Sequence, residues 1–335
     1  MKCLAFADLF IPKEMMQAGL KKLENQGVEV TVREWTHKNI EALQEDNLAV
    51  EQGGSEVVSL PDSLLGDIDT FDIIITQFAP INEKLLRAAT NLKLVGVLRG
   101  GTENINHNVA NDLNISVFNT PGRNARSVAE FAVGLILSEI RNITRAHTAL
   151  RNGHWRKNFP NSETIPELGG RTAGIIGYGN IGQLVGRFLA AFDMNVVFYD
   201  PYFKGETNFQ QVDKLDTLLE TADVVTLHGR LTEDTKHMIR YEHFEKMKKT
   251  AIFVNSARSG LVNEQDLIQA LQKKEIMGAA IDTFDDEPLP LSSPFLQLDN
   301  VTVTTHLAGS TNDAFKNTPD LLVTRLLKES DLFNH

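Results

Sequence analysis

Three side chains in the second half of the chain have the types needed to reduce a carbonyl or oxidise an alcohol. His306 lies in Thr304-Thr305-His306-Leu307-Ala308-Gly309. An imidazole exchanges protons near neutral pH, so it serves as donor and as acceptor. Glu287 lies in Asp282-Thr283-Phe284-Asp285-Asp286-Glu287-Pro288. A buried carboxylate beside an imidazole orients the ring and favours its protonated form. Arg258 lies in Asn255-Ser256-Ala257-Arg258-Ser259-Gly260. A guanidinium grips a carboxylate through two parallel hydrogen bonds. Taken singly, each has an ordinary alternative: a surface arginine paired with an acid, one solvated glutamate among several, a histidine ring already satisfied. Their joint placement weighs against coincidence. Each comes after a β-rich run, and side chains at the carboxyl ends of parallel strands face a ligand crevice.

The elements that must position them alternate along nearly the whole chain. The pattern predicts strands at Cys3–Ala7, Val28–Arg33, Ile73–Gln77, Leu94–Leu98, Ile115–Phe118, Thr172–Gly177, Asn195–Asp200, Asp223–Leu227, Ala251–Asn255, Met277–Ile281 and Val301–Val303. Helical patterns fall between them, among them Glu14–Gln26, Asn82–Ala89, Gln183–Phe192 and Glu264–Gln272. Such alternation argues for an α/β protein with parallel sheets covered by helices. Ala125 to Leu150 carries a long helical pattern after the turn signal Pro121-Gly122. At about 1.5 Å per residue such a helix would span nearly 40 Å. It either bridges two domains or subunits or lies buried in one core.

The run Gly177-Tyr178-Gly179-Asn180-Ile181-Gly182 sits about halfway along the chain. A strand pattern, Thr172 to Ile176, precedes it and a helical pattern comes after. The first glycine permits the tight turn, the second lets backbone approach a pyrophosphate, and the third allows close helix–strand packing. The helix N-terminus then receives the phosphates. Asp200 ends the next predicted strand, where an acid binds the adenosine ribose hydroxyls. Its charge would repel a 2′-phosphate, so NAD is expected over NADP.

The chain has 335 residues, which makes two domains the default. Its net charge of −11 is spread along the length. Nucleic acid wants a concentrated basic face and is not an expected partner. The single cysteine, Cys3, excludes an intramolecular disulfide, and no secretory leader is read at the N-terminus, so a cytoplasmic location is expected. The apolar run Phe131 to Leu137 is far too short for a membrane span. No metal site is expected.

Read together, these segments resemble the D-isomer-specific 2-hydroxyacid dehydrogenase family. The resemblance rests on Asn119-Thr120-Pro121-Gly122-Arg123-Asn124-Ala125-Arg126-Ser127-Val128-Ala129-Glu130, the 177–182 turn, the 255–260 and 282–288 segments, and Thr305 to Gly309, in the family's order. It implies that Arg258 binds the 2-oxo-acid carboxylate and polarises the carbonyl. His306 would donate the proton on reduction and accept it on oxidation, and Glu287 would hydrogen-bond His306. Asp282 would meet the nicotinamide carboxamide, with Ser256 and Ala257 also at the cofactor. His228 falls where the family lines the cofactor cleft, and a buried ring capping a strand end is the other reading. Leu98 to Asn106 resembles the substrate loop, in which the backbone N–H groups of Gly100 and Gly101 would receive the carboxylate. Arg99 before those glycines departs from the usual pattern. It either reads a phosphate or second carboxylate, or is a scaffold arginine.

The resemblance also implies two Rossmann-like domains. A flavodoxin-like substrate domain (1–120 plus 308–335) would hold an inserted dinucleotide-binding domain (121–307), with the active site in the cleft between them. A homodimer through the 125–150 helix is expected, and no appended regulatory domain. Residues Glu34 to Leu60 match only loosely. A binding protein of the corepressor type, dimerising with NAD, shares the fold and much of the trio and is the alternative from another class. A formate-oxidising relative would lack a Glu beside its histidine, whereas phosphite oxidation is harder to exclude. The acid that is reduced is not readable.

Overall fold

The computed structural model describes residues 1–333. The chain forms two compact units, one of Met1–Arg123 with the chain from Thr311 onward, the other of Asn124–Ser310.

The first unit is a five-stranded parallel sheet built from β1 (Lys2–Ala7), β2 (Glu29–Glu34), β3 (Ile73–Thr76), β4 (Leu94–Val97) and β5 (Ser116–Asn119). The strand order is β2-β1-β3-β4-β5. Ile73, Ile74 and Ile75 are fully buried in β3, the continuous apolar run of a strand covered on both faces. Alternate side chains divide between two cores. Leu4, Phe6, Ile74 and Val95 pack with Leu43, Leu85 and Val109. Cys3, Ala5, Ile73 and Ile75 pack with Met16, Leu20, Leu322 and Leu326. The C-terminal helix Asn312–Glu329 therefore closes this unit. Gly96 makes room for it, since a Cβ there would come within 2.7 Å of Leu322.

Two local features differ from the pattern in the sequence. Glu14–Gln26 is not one helix but Lys13–Gly19 and Lys21–Glu24, joined at Leu20. The loosely matching stretch after Glu34 contains a helix, Ile40–Gly53, capped by Asn39, whose side chain accepts the Ala42 N–H at 3.0 Å.

Asp8, just past β1, accepts the N–H groups of Phe10 and Ile11, both at 2.9 Å. Burial pushes its carboxyl up from 3.8 to about 6, against the pull of those bonds and of the charges on His37 and Arg123. With the folded value above the unfolded one, the folded chain holds the proton more tightly. Stability is therefore lost as pH rises from about 4 to about 6, by on the order of 3 kcal/mol. Asp8→Asn is expected to flatten this slope, measured as urea midpoints between pH 4.5 and 7.5. An unchanged slope would exclude Asp8 as its source.

The second unit is a seven-stranded parallel sheet of β6 (Thr172–Ile176), β7 (Asn195–Tyr199), β8 (Gln210–Gln211), β9 (Val224–Leu227), β10 (Ile252–Asn255), β11 (Gly278–Ile281) and β12 (Val301–Val303). Its order is β12-β11-β10-β9-β6-β7-β8. The long helix expected over 125–150 is two helices, Ala125–Ile140 and Ile143–Arg151. Asn142 breaks it in the left-handed region at φ +55°, a conformation that asparagine tolerates better than most residues. Its buried amide donates to Asn161 at 2.7 Å and its oxygen accepts from Arg145 at 3.2 Å. At about 1.5 Å per residue the first piece spans roughly 24 Å rather than 40 Å.

Candidate active site

The carboxyl edge of the second sheet presents the candidate residues strand by strand. His306 comes after β12, Asp282 to Glu287 after β11, Arg258 after β10, His228 after β9, the glycine turn after β6 and Asp200 after β7. Strand order reverses between β9 and β6, which is the switch point where open sheets bind ligands.

At that point the glycine turn is built as its spacing predicts. Gly177 has φ +87°, and a Cβ on it would lie 2.6 Å from the Gly229 nitrogen. A Cβ on Gly182 would run into the Gly177 carbonyl. Gly179, by contrast, has open space where its Cβ would be and caps the helix Asn180–Ala190. The N–H groups of that first helical turn, Asn180, Ile181 and Gly182, have no acceptor within the helix and suit phosphate oxygens. The helix starts three residues earlier than its apolar pattern indicates, because the turn itself forms its first residues.

Tyr178 turns its side chain into the core. Its ring is buried, stacked on Phe198 at 3.8 Å, with its hydroxyl 3.1 Å from Thr207. Asp200 accepts the Tyr178 N–H at 2.8 Å and the Tyr202 N–H at 2.9 Å, and remains part-exposed at the strand end. Those bonds hold the acid beside the turn, where a ribose would arrive.

His228 lies just past the end of β9. Its Nε2 lies 2.9 Å from the Thr226 hydroxyl, and its Nδ1 is buried with no hydrogen-bond partner among the described residues. Burial pushes its imidazole down to about 3, so the ring is neutral at physiological pH. Ser256 Oγ and Thr283 Oγ1 are likewise buried without a partner. Three orphaned polar atoms at neighbouring strand ends, beside a turn cut to admit backbone, fit a dinucleotide laid along this edge.

His306 and Glu287 meet: Nδ1 of the ring lies 2.8 Å from Oε2 of the carboxylate. The other carboxylate oxygen accepts the Phe284 N–H at 2.9 Å, which fixes Glu287 in turn. The contact through Nδ1 leaves Nε2 for a substrate oxygen. The His306 side chain is 46% exposed, so a substrate can reach it.

Asp282 organises this loop. It is fully buried and accepts the Thr304 hydroxyl at 2.5 Å, the Leu307 N–H at 3.0 Å and the Ala308 N–H at 2.9 Å. These bonds bracket His306, whose φ of +55° is rare for a residue with a side chain. The carboxylate expected at the nicotinamide carboxamide thus also holds the loop that carries the histidine.

Arg258 is exposed, and its Nη1 donates to the Ala257 carbonyl at 2.7 Å. Asn255, which in the sequence is only one member of its segment, is what places it. The Asn255 side chain accepts the Ala257 N–H and donates to the Arg258 carbonyl, both at 3.0 Å. No hydrogen bond joins Arg258 to His306 or Glu287 among the described residues. Two strand spacings, about 10 Å, separate the loop of Arg258 from that of His306, and one separates it from that of Glu287.

In the first unit, the N–H groups of Gly100 and Gly101 donate to no acceptor among the described residues. The Gly100 carbonyl is held by Asn119 at 2.6 Å. Arg99 is not available to a ligand in the same way. It donates to Asn47 at 2.7 Å, pairs with Glu51, and lies 3.4 Å from Glu103. Of its two readings, scaffold arginine is the one this geometry favours. Among the described residues no cluster could hold a metal ion, and no helix is long and apolar enough to cross a membrane.

Residues 133–308 match the family described as D-isomer specific 2-hydroxyacid dehydrogenase, NAD binding domain. Over 284 residues the chain is 39% identical to a D-3-phosphoglycerate dehydrogenase of Methanocaldococcus jannaschii, covering 82% of this chain and 53% of that longer one. It is 38% identical to a hydroxypyruvate reductase of Thermotoga maritima, covering 80% and 88% of the two chains. A solved D-lactate dehydrogenase with NAD+ from Lactobacillus jensenii superposes with a TM-score of 0.74 at 25% identity, covering 100% and 97%. These relatives are named as dehydrogenases and reductases, which does not favour the binding-protein alternative. The chain belongs to the D-isomer-specific 2-hydroxyacid dehydrogenase family, and its second unit carries that family's NAD-binding domain.

Proposed function

We propose that this protein interconverts a small D-2-hydroxy acid and its 2-oxo acid with NAD. The observation that carries the reading is the His306–Glu287 contact of 2.8 Å on the same sheet edge as the glycine turn and Asp200. NAD supplies the hydride carrier when bound. On reduction, His306 Nε2 gives its proton to the carbonyl oxygen, while Glu287 holds the charge and orientation of the ring from the Nδ1 side. On oxidation, the same nitrogen takes the hydroxyl proton. Arg258 grips the substrate carboxylate and polarises the carbonyl, and Asn255 sets the loop from which it reaches. The N–H groups of Gly100 and Gly101 receive the same carboxylate. In this reading the first unit is the substrate domain and the second the dinucleotide domain.

The working form is proposed as a homodimer. The helix Ile143–Arg151 buries none of its residues, and Ile143, Leu150 and Trp155 are exposed at 55%, 58% and 79%. Such a surface asks for a partner.

The test is NADH oxidation with a panel of small 2-oxo acids, run beside Arg258→Lys. A lysine is a point charge and cannot reproduce the two-pronged carboxylate contact. The variant is expected to lose roughly 10- to 100-fold in kcat/KM, as a charge-assisted hydrogen bond is lost. Near-normal kcat/KM would remove Arg258 from the site, and a panel without turnover would overturn the activity.

A further inference from the structure

The segment that carries Arg258 is anchored unevenly. Toward residues 237–239 it is stitched by backbone. The Gly260 carbonyl accepts the His237 N–H at 2.7 Å, and the Leu261 carbonyl accepts the Ile239 N–H at 3.1 Å. Toward the Glu287 segment, the strand ends meet where the Asp282 N–H donates to the Asn255 carbonyl at 3.0 Å. Beyond that bond the two segments part around a small cavity lined by Asn255, Ser259, Glu264 and Thr283. Glu264 crosses the gap, and its Oε2 accepts the Asp285 N–H at 3.0 Å. Among the described residues this is the only side-chain hydrogen bond between 255–264 and 282–288.

Glu264 opens the helix Glu264–Lys273, directly behind its Asn263 cap and shortly beyond Arg258. Asp285 lies in the segment that ends in Glu287, whose own oxygen accepts the neighbouring Phe284 N–H. One side chain therefore joins the backbone that carries the carboxylate grip to the backbone that carries the partner of His306. The position is electrostatically costly. Burial pushes the Glu264 carboxyl up from its usual value, the Asp285 N–H pulls it down, and the charges of Asp285 and Asp286 push it up again. With the folded value raised, this group's contribution to stability is lost as pH rises through the carboxylate range. The first turn of a helix favours an acid and offsets part of this cost. What the contact to Asp285 uses is the reach of the side chain, since an amide oxygen at the same length would accept the same N–H.

We propose that Glu264 is a positioning residue that sets the spacing between Arg258 and the His306–Glu287 pair. The inference rests on the dehydrogenase reading above and gives Glu264 no contact with substrate or NAD. A 2-oxo acid bridges the two loops, with its carboxylate at Arg258 and its carbonyl oxygen at His306. The loops follow strands two spacings apart, so their register at the substrate depends on what joins them beyond the sheet edge. Without the Glu264 contact each loop keeps its local bonds, but their separation shifts. A displacement of about 1 Å at a reacting group costs on the order of 100-fold.

The experiment compares Glu264→Gln with Glu264→Asp in the full-length protein. Glutamine keeps the length and loses the charge, whereas aspartate keeps the charge and falls one methylene short. NADH oxidation is followed with glyoxylate, hydroxypyruvate, 2-oxobutyrate and phosphohydroxypyruvate, beside NADH affinity by fluorescence titration and thermal melting. Glu264→Gln is expected to stay within about 3-fold of wild-type kcat/KM. Glu264→Asp should lose roughly 10- to 100-fold on the best of these acids, with NADH affinity and melting temperature near wild type. In an Arg258→Lys background the aspartate should cost less than about 3-fold more, because the grip whose spacing it disturbs is already lost. Should Glu264→Asp not fold, Glu264→Ala, which removes the reach altogether, must show the same loss. An aspartate variant as active as the wild type overturns the positioning role, and so does a glutamine variant as damaged as the aspartate. A parallel fall in NADH affinity and melting temperature would mark a general loosening and overturn it as well. Each of these results leaves the dehydrogenase reading standing as long as the wild type turns over one of the acids. A wild type that turns over none overturns that reading and this inference with it.

Discussion

His306→Gln is expected to lower kcat by roughly 10²- to 10⁴-fold, the range by which a positioned proton donor accelerates such a step. Glutamine nearly matches the reach of the ring and still offers an N–H, but it does not exchange a proton near neutral pH. The loss should fall on kcat. The affinity for NADH, read by fluorescence titration, should stay near that of the wild type, because the turn at 177–182 and Asp200 lie several strands away along the sheet edge. Glu287→Gln should be milder, since an amide still reaches Nδ1 and still accepts the Phe284 N–H that fixes its position. A His306→Gln enzyme keeping more than about a tenth of wild-type kcat would remove the histidine from proton transfer.

Much of this site is legible in the sequence because parallel core strands are short apolar runs that end abruptly in polar residues. Ile252 to Asn255 and Gly278 to Ile281 announce themselves in this way, and the residues just past each strand face the ligand edge. The glycine turn is legible for a steric reason, since the Cβ atoms excluded at Gly177 and Gly182 leave a trace in the letters. Partners supplied by backbone leave none. Asp282 reads as one more acid after a strand, and only the fold shows N–H groups of Leu307 and Ala308 arriving at its oxygens. Arg99 is ambiguous in the sequence for the same reason. Its partners Asn47 and Glu51 lie on the helix Ile40–Gly53, which buries only Leu43 and Val50 and so carries almost no apolar stripe. The break at Asn142 is equally hidden, because apolar periodicity runs through a single left-handed residue without a gap.

The buried carboxylate of Asp282 leads to the second large effect. Asp282→Ala leaves the Thr304 hydroxyl and the Leu307 and Ala308 N–H groups without their acceptor. Each orphaned buried group costs about 1–3 kcal/mol, so the loop is expected to relax rather than remain in place. His306 holds φ +55° only because its neighbours impose it, and it would leave that region first. The ring then loses its register with Glu287. A displacement of about 1 Å at a reacting group costs on the order of 100-fold, so kcat should fall by that much or more. Asp282→Asn should recover part of the loss, since one amide oxygen still accepts while its NH2 faces a donor. The affinity for NAD separates the two roles open to this residue. If Asp282 acts through His306, kcat falls and the NAD dissociation constant stays within a few-fold of wild type. If its carboxylate serves the nicotinamide carboxamide instead, the dissociation constant rises with the loss of kcat, and the positioning role is overturned.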